Sequence, residues 1–157
     1  MISKLNRAGQ IAATGLKANR GWMNVISNNI ANAHSVDNGK RTANGNFVPY
    51  ARQVPVFERI LSENFRRNKV NGDVADGVAV KEVSELNDHI RKVFDPTHPA
   101  ARKAGSPDAG YVYYPKISVA QEMADMQIAS AAYEANLSII SVSQRMSENA
   151  MRISRRG

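Results

Sequence analysis

At 157 residues the chain is long enough for one domain with a real core and too short for two large independent ones. It contains no cysteine, which excludes a disulfide framework and a thiolate metal site. Its 21 Lys and Arg against 14 Asp and Glu leave a net charge of +7, so nucleic acid or an anionic membrane must be weighed as partners, and the placement of the charge matters more than its sum.

Met1 to Gly15 carries Lys4 and Arg7 but no continuous apolar stretch and no small-residue cleavage site, so a cleaved secretory signal is not expected. Nowhere do about eighteen apolar residues run together, and a membrane-spanning helix is not expected either. From Ile2 to Ala33 the positions Ile2, Leu5, Gly9, Ala12, Leu16, Asn19, Met23, Ile26, Ile30 and Ala33 follow one another at steps of three and four. That is a heptad seam, and it predicts a helix over residues 1–33. A second stripe, Ile11, Gly15, Ala18, Trp22 and Val25, runs beside it, so this helix has apolar faces for more than one neighbour. Near its end stand Asn28, Asn29 and Asn32 in a place where asparagine is a poor helix former. Two compatible readings are open. The amides terminate the helix by bonding nearby backbone, or they hydrogen-bond across a subunit interface and fix its register.

Residues 34–117 change character, with Asn38-Gly39, Asn44-Gly45, Asn71-Gly72 and Asp76-Gly77 offering the positive φ angles of tight turns. Short strands are expected at Phe47 to Leu61, Val78 to Val83, Arg91 to Phe94 and Tyr111 to Tyr114, with Pro49 and Pro55 arguing for edges. Residues 34–46 and 97–110 read as mobile loops rich in Asn, Gly, Pro and charge. His34, His89 and His98 lack the helical spacing of a metal site and read as surface residues. Gly39-Lys40 has His34 where a phosphate-binding loop needs glycine and Arg41 where it needs a hydroxyl, so that match fails.

A second long helix is expected over residues 118–157, opened by a capping box of Ser118 and Gln121. Val119, Met123, Met126, Ser130, Tyr133, Leu137, Ile140, Gln144, Ser147 and Met151 form its seam. Ile128, Ala132, Ala135, Ile139, Val142, Met146 and Ile153 form a neighbouring stripe. Residues 119–140 carry acids and no base, complementary to residues 1–33, which carry bases and no acid. Arg145, Arg152, Arg155 and Arg156 suit a helix C-terminus, and nucleic-acid binding is not expected from them. The fold class is therefore α+β. Long N- and C-terminal helices pack as a coiled-coil or bundle core, with a small irregular β module between them.

No nucleophile elbow, metal cluster or acid–base pairing is legible, so no catalytic residue, cofactor, metal or small-molecule substrate is expected. Ser27-Asn28-Asn29-Ile30-Ala31-Asn32-Ala33 resembles the signature of flagellar rod, hook and related axial proteins. Asp95-Pro96-Thr97-His98-Pro99, Gly110-Tyr111-Val112, Glu122-Met123 and Tyr133-Glu134-Ala135-Asn136 follow in order, as do Pro49-Tyr50-Ala51-Arg52-Gln53 and Gly77-Val78-Ala79-Val80. With these motifs the chain resembles the basal-body rod proteins of the FlgC type, the proximal rod. The resemblance implies a structural subunit exported through the flagellar type III apparatus without a cleaved signal. It implies assembly with copies of itself and other rod subunits into the periplasm-spanning drive shaft. Leu5, Leu16, Met23, Ile26, Ile30, Met123, Met126, Tyr133, Leu137 and Ile140 are the expected assembly residues. The second stripes disfavour a purely intramolecular two-helix core, since one partner helix cannot cover both faces. The rival function is a cytoplasmic helical regulator or secretion chaperone, which would show similar helices but has no need of a β module.

Overall fold

The computed structural model describes residues 2–61, 75–86 and 90–154. Helix α1 spans Ile2–Ala31, strands β1 and β2 span Arg52–Leu61 and Ala75–Leu86, β3 and β4 span Ile90–Phe94 and Tyr111–Pro115, and helix α2 spans Val119–Ser154. β1 pairs with β2. β3 runs antiparallel to β4 with Ile90 opposite Pro115 and Phe94 opposite Tyr111. This is the expected α+β arrangement of terminal helices around a small β module.

The helix ends are set by local chemistry. At the end of α1 the Asn32 amide donates to the Asn28 carbonyl (2.9 Å) and accepts from the Ser35 hydroxyl (3.0 Å), so the carbonyl that already accepts from the Asn32 N–H gains a second donor at the last turn. At the start of α2 the Ser118 hydroxyl accepts from the Gln121 N–H at 3.4 Å, and its carbonyl accepts from the Glu122 N–H at 3.0 Å.

Two strand readings need correction. The first strand opens at Arg52 and not at Phe47, because the chain before it is engaged in a hairpin loop: Phe47 bridges Arg41, and the Tyr50 N–H donates to the Ser35 carbonyl (3.0 Å). The second reaches from Ala75 to Leu86, so Asp76-Gly77 lies inside a strand and is no turn. Asn71-Gly72 and His89 lie outside the described residues.

The chain forms two compact units that cut across the element order, each taking part of both helices. Unit 1 comprises Met1–Met23, Pro55–Glu82 and Met126–Gly157. Within it the helices run antiparallel and close together: a β-carbon added at Gly9 would sit 3.5 Å from the Ser143 hydroxyl, and one at Gly15 only 2.9 Å from the Asn136 amide nitrogen. Small residues make this approach possible. Ala12, Gly15 and Ala18 are buried, and Trp22 meets Phe57 edge to face with ring centroids 6.0 Å apart.

Unit 2 comprises Asn24–Val54 and Val83–Asp125. Here residues 34–50 form a hydrogen-bonded loop in which the Arg41 guanidinium lies 3.9 Å above the Phe47 ring and pairs with Asp37 at 2.6 Å. Residues 95–110 are likewise organised. The Asp95 carboxylate accepts from the Thr97 N–H and hydroxyl (3.1 and 2.7 Å). The Arg102 guanidinium stacks 3.8 Å from the Tyr113 ring, and the fully buried Val112 anchors β4. His34 is exposed, as expected of a surface histidine, whereas His98 is half-buried and its Nδ1 accepts from the Ala100 N–H (3.0 Å).

The Tyr113 hydroxyl donates to Asp108, and the Lys92 ammonium does so at 3.0 Å; together, in that order, they hold the Asp108 carboxyl below its ordinary 3.8. A carboxylate with a lower pKa folded than unfolded contributes stability above the ordinary value and loses it as pH falls through the folded value. The melting temperature should therefore fall as pH is lowered from about 5 toward 3. In Asp108→Asn that acid sensitivity should shrink, which a series of thermal melts would measure.

Candidate functional site

The buried polar groups of unit 2 converge on Asn29. Its side chain uses its full capacity: Nδ2 donates to the Gln53 carbonyl (2.8 Å) and to Glu122 Oε2 (3.1 Å), while Oδ1 accepts from the Gln53 N–H (2.9 Å) and the Tyr50 hydroxyl (3.1 Å). Glu122 is completed from its other oxygen. Oε1 accepts from Arg52 Nε at 2.7 Å and pairs with the terminal nitrogen at 2.6 Å, a two-nitrogen grip, with Asp125 3.8 Å from that same nitrogen. Asn29 and Glu122 are each 1% exposed. Burial, then the negative charges of Glu85 and Glu122, raise the Tyr50 pKa above the ordinary 10.0, so Tyr50 stays a donor.

These contacts clasp α1, β1 and α2, and the two buried members, Asn29 and Glu122, are engaged within the cluster. Among the described residues no group of three or more metal-ligating side chains comes together. No helix is long and apolar enough to cross a membrane among those residues.

The asparagine motif thus splits into different tasks. Asn29 is the buried clasp, Asn32 closes the helix, and Asn28, exposed, offers its carbonyl to both Asn32 donors. In the motif's flanks, Ser27 and Ala31 are exposed and Ile30 is half-buried. In the later motif, Asn136 lies against Gly15, Tyr133 is half-buried, and Glu134 and Ala135 are exposed. Arg52, Gln53, Tyr50 and Glu122 stand in the quoted motifs, yet no local signal joins them into one cluster. A partner 93 residues away, as Glu122 is from Asn29, leaves no periodic signal.

The expected assembly residues also divide. Leu16, Met23, Ile30, Met126, Tyr133 and Ile140 are half-buried, Leu137 is 45% exposed and Met123 more so. Leu5 has its side chain outside the described residues. Ile26, at 1% exposure, is covered by its own chain. The line that α2 buries within the chain holds Glu122, Asp125, Ala129, Ala132, Asn136, Ile140, Ser143 and Ser147, buried or half-buried at steps of three and four. Apart from Ile140 it is polar or small, and so largely escapes a reading keyed to apolar periodicity. The neighbouring apolar stripe is left to solvent, from Ile128 at 58% exposure through Ile139, Val142 and Met146 to Ile153 at 75%.

Two family models match the chain: the flagella basal body rod protein over residues 10–38, and the C-terminal domain of the flagellar basal body rod FlgEFG proteins over residues 108–153. Over 91% of its length it is 35% identical to the flagellar basal-body rod protein FlgC of Borreliella burgdorferi, covering 93% of that protein. The chain belongs to the flagellar basal-body rod proteins of the FlgC type. FlgC of Bacillus subtilis is 29% identical over 91% of the chain and 93% of its own length, and FlgC of Aquifex aeolicus is 33% identical over 88% of each. As a FlgC-type chain it is a structural rod subunit of the flagellar basal body. The rod reading is thereby favoured over a regulator or chaperone, and the solvent-facing stripe of α2 becomes an assembly question.

Proposed function

We propose that this FlgC-type subunit occupies the proximal, periplasm-spanning part of the rod and is held there by burial of the outer α2 stripe against neighbouring subunits, with no catalytic role. Delivery by the flagellar export apparatus without a cleaved signal belongs to the same reading. The observation that carries it is the run of large apolar side chains, Ile128, Ile139, Val142, Met146 and Ile153, exposed along one helix face. Over 25 residues this stripe extends about 37 Å, at about 1.5 Å of rise per residue. An apolar surface of that length is costly in water, and an interaction face is its ordinary explanation. Met123 and Leu137, exposed on the other flank of the buried line, add a second strip. Two strips flanking one internal seam suit a subunit packed among several others. Leu16, Met23, Ile30, Met126, Tyr133 and Ile140, half-buried in the single chain, would complete these contacts.

The test separates folding from assembly. Ile139→Ser combined with Val142→Ser should change the stability of the free protein by less than about 1 kcal/mol, since both side chains are already in solvent. Incorporation into purified basal bodies, and with it swimming, should be lost. Normal incorporation of the double variant would refute the assignment of this face.

A further inference from the structure

One large side chain on the outer α2 stripe can change its chemistry. Ile128, Ile139, Val142 and Ile153 are plain hydrocarbon, whereas Met146 carries a thioether and is 52% exposed. The chain has no cysteine, so its six methionines hold all of its sulfur. Met23 and Met126 are half-buried, while Met123, Met146 and Met151 are exposed. Exposure does not separate the last three, since Met151 stands at 51%. Their surroundings do. Met146 has Val142 one turn before it, Ile139 two turns before and Ile153 two turns after, all exposed on the same helix face. Met151 has Ser147 and Glu148 one turn before it, and Met123 lies outside this stripe, in unit 2.

We infer that Met146 is an oxidation site that controls assembly: hydrogen peroxide converts it to the sulfoxide in a subunit not yet incorporated, and that subunit then fails to dock through the stripe. This rests on the rod reading and deepens it. The sulfur lone pair attacks one oxygen of peroxide and the O–O bond breaks. The proton on the transferred oxygen passes to the departing hydroxide, so the products are sulfoxide and water. Sulfur loses two electrons and peroxide gains them. The new oxygen is a hydrogen-bond acceptor. Water satisfies it in the free subunit, but an apolar neighbour offers no donor, so the docked state alone is penalised. Once a neighbour covers the stripe the thioether is out of reach of peroxide, and the control acts before incorporation. A sulfoxide reductase with a thiol reductant reverses it, the oxygen leaving as water while two thiols join in a disulfide.

The experiment places two copies in one cell, so that other oxidative damage acts on both alike. Cells making wild type and Met146→Leu together receive hydrogen peroxide while rods are being built, at a dose that oxidises most of Met151 in the free pool. The copies are counted in purified basal bodies by mass spectrometry of the peptide spanning residue 146, with oxidised and unoxidised forms summed. Leucine keeps the volume and the apolar character, so the two should enter equally without peroxide. With peroxide Met146→Leu should be enriched about fivefold or more. Met151→Leu, in the same competition, should gain nothing, because exposure without the stripe is not enough. Met146→Gln, polar without any oxidant, should be depleted in untreated cells, with circular dichroism of the purified variant as the check on folding. A wild-type to Met146→Leu ratio that peroxide does not move, or an equal gain by Met151→Leu, overturns the inference and leaves the rod assignment standing. Absence of both copies from the basal bodies would overturn the rod reading, and this control with it.

Discussion

Replacing Arg52 with methionine should destabilise the protein by about 3 to 5 kcal/mol, and replacing Glu122 with methionine in the same chain should recover most of that loss. The asymmetry follows from burial. The Glu122 side chain is 1% exposed, so without Arg52 its Oε1 loses a cation and both charge-assisted hydrogen bonds at a site with little access to water. The Asn29 amide reaches only Oε2 and carries no charge. Arg52 itself keeps 23% of its side-chain surface, so water can enter once it is gone and the lower end of the range applies. In the double variant no buried charge remains to be compensated, and apolar side chains of similar reach fill the space.

Urea unfolding of the wild type, both single variants and the double variant closes the cycle, with the coupling energy as its product. Arg52→Lys should fall between wild type and Arg52→Met, because an ammonium cannot present the two parallel donors of the guanidinium. A coupling energy within error of zero would mean that Arg52 and Glu122 are merely adjacent.

The difference between what the sequence tells and what it hides runs along α2. Its start at Ser118 and its two apolar stripes are legible, because a capping side chain and a 3.6-residue period are local signals. The face it turns inward is not. That face depends on close approach, Gly9 to Ser143 and Gly15 to Asn136, and small or polar residues at such points resemble any solvated face when read in one dimension. Asn29 shows the same limit. Its placement near a helix end suggested a terminator or an intersubunit amide, whereas its four hydrogen bonds reach Gln53 on β1, Tyr50 on the loop before it and Glu122 on α2. The strands were legible wherever β-branched and aromatic residues cluster, and misjudged at Asp76-Gly77, where a turn dipeptide sits inside β2 for a reason that only the packing supplies.

That reason gives the second large effect: Gly77→Ala should cost about 3 kcal/mol or more. Gly77 has φ of +140°, where an L side chain is strained by roughly 1 to 3 kcal/mol. A β-carbon there would also lie 2.1 Å from Thr14 Oγ1 and 2.9 Å from Thr14 Cβ, well inside contact distance. Thr14 cannot turn aside freely. Its hydroxyl donates to the Ile11 carbonyl at 2.7 Å and accepts from the Val78 N–H at 3.1 Å, and releasing it gives up both bonds at about 1 kcal/mol each. Gly39 is the natural control, with φ of +82° and nothing within 4 Å of an added β-carbon, so Gly39→Ala reports backbone strain alone, about 1 to 2 kcal/mol. Thr14→Ala in the Gly77→Ala background should return part of the loss by removing Oγ1, and not all of it, because the β-carbon and the backbone strain remain. Equal losses for Gly77→Ala and Gly39→Ala in urea unfolding would show that the Thr14 contact with β2 contributes nothing to stability.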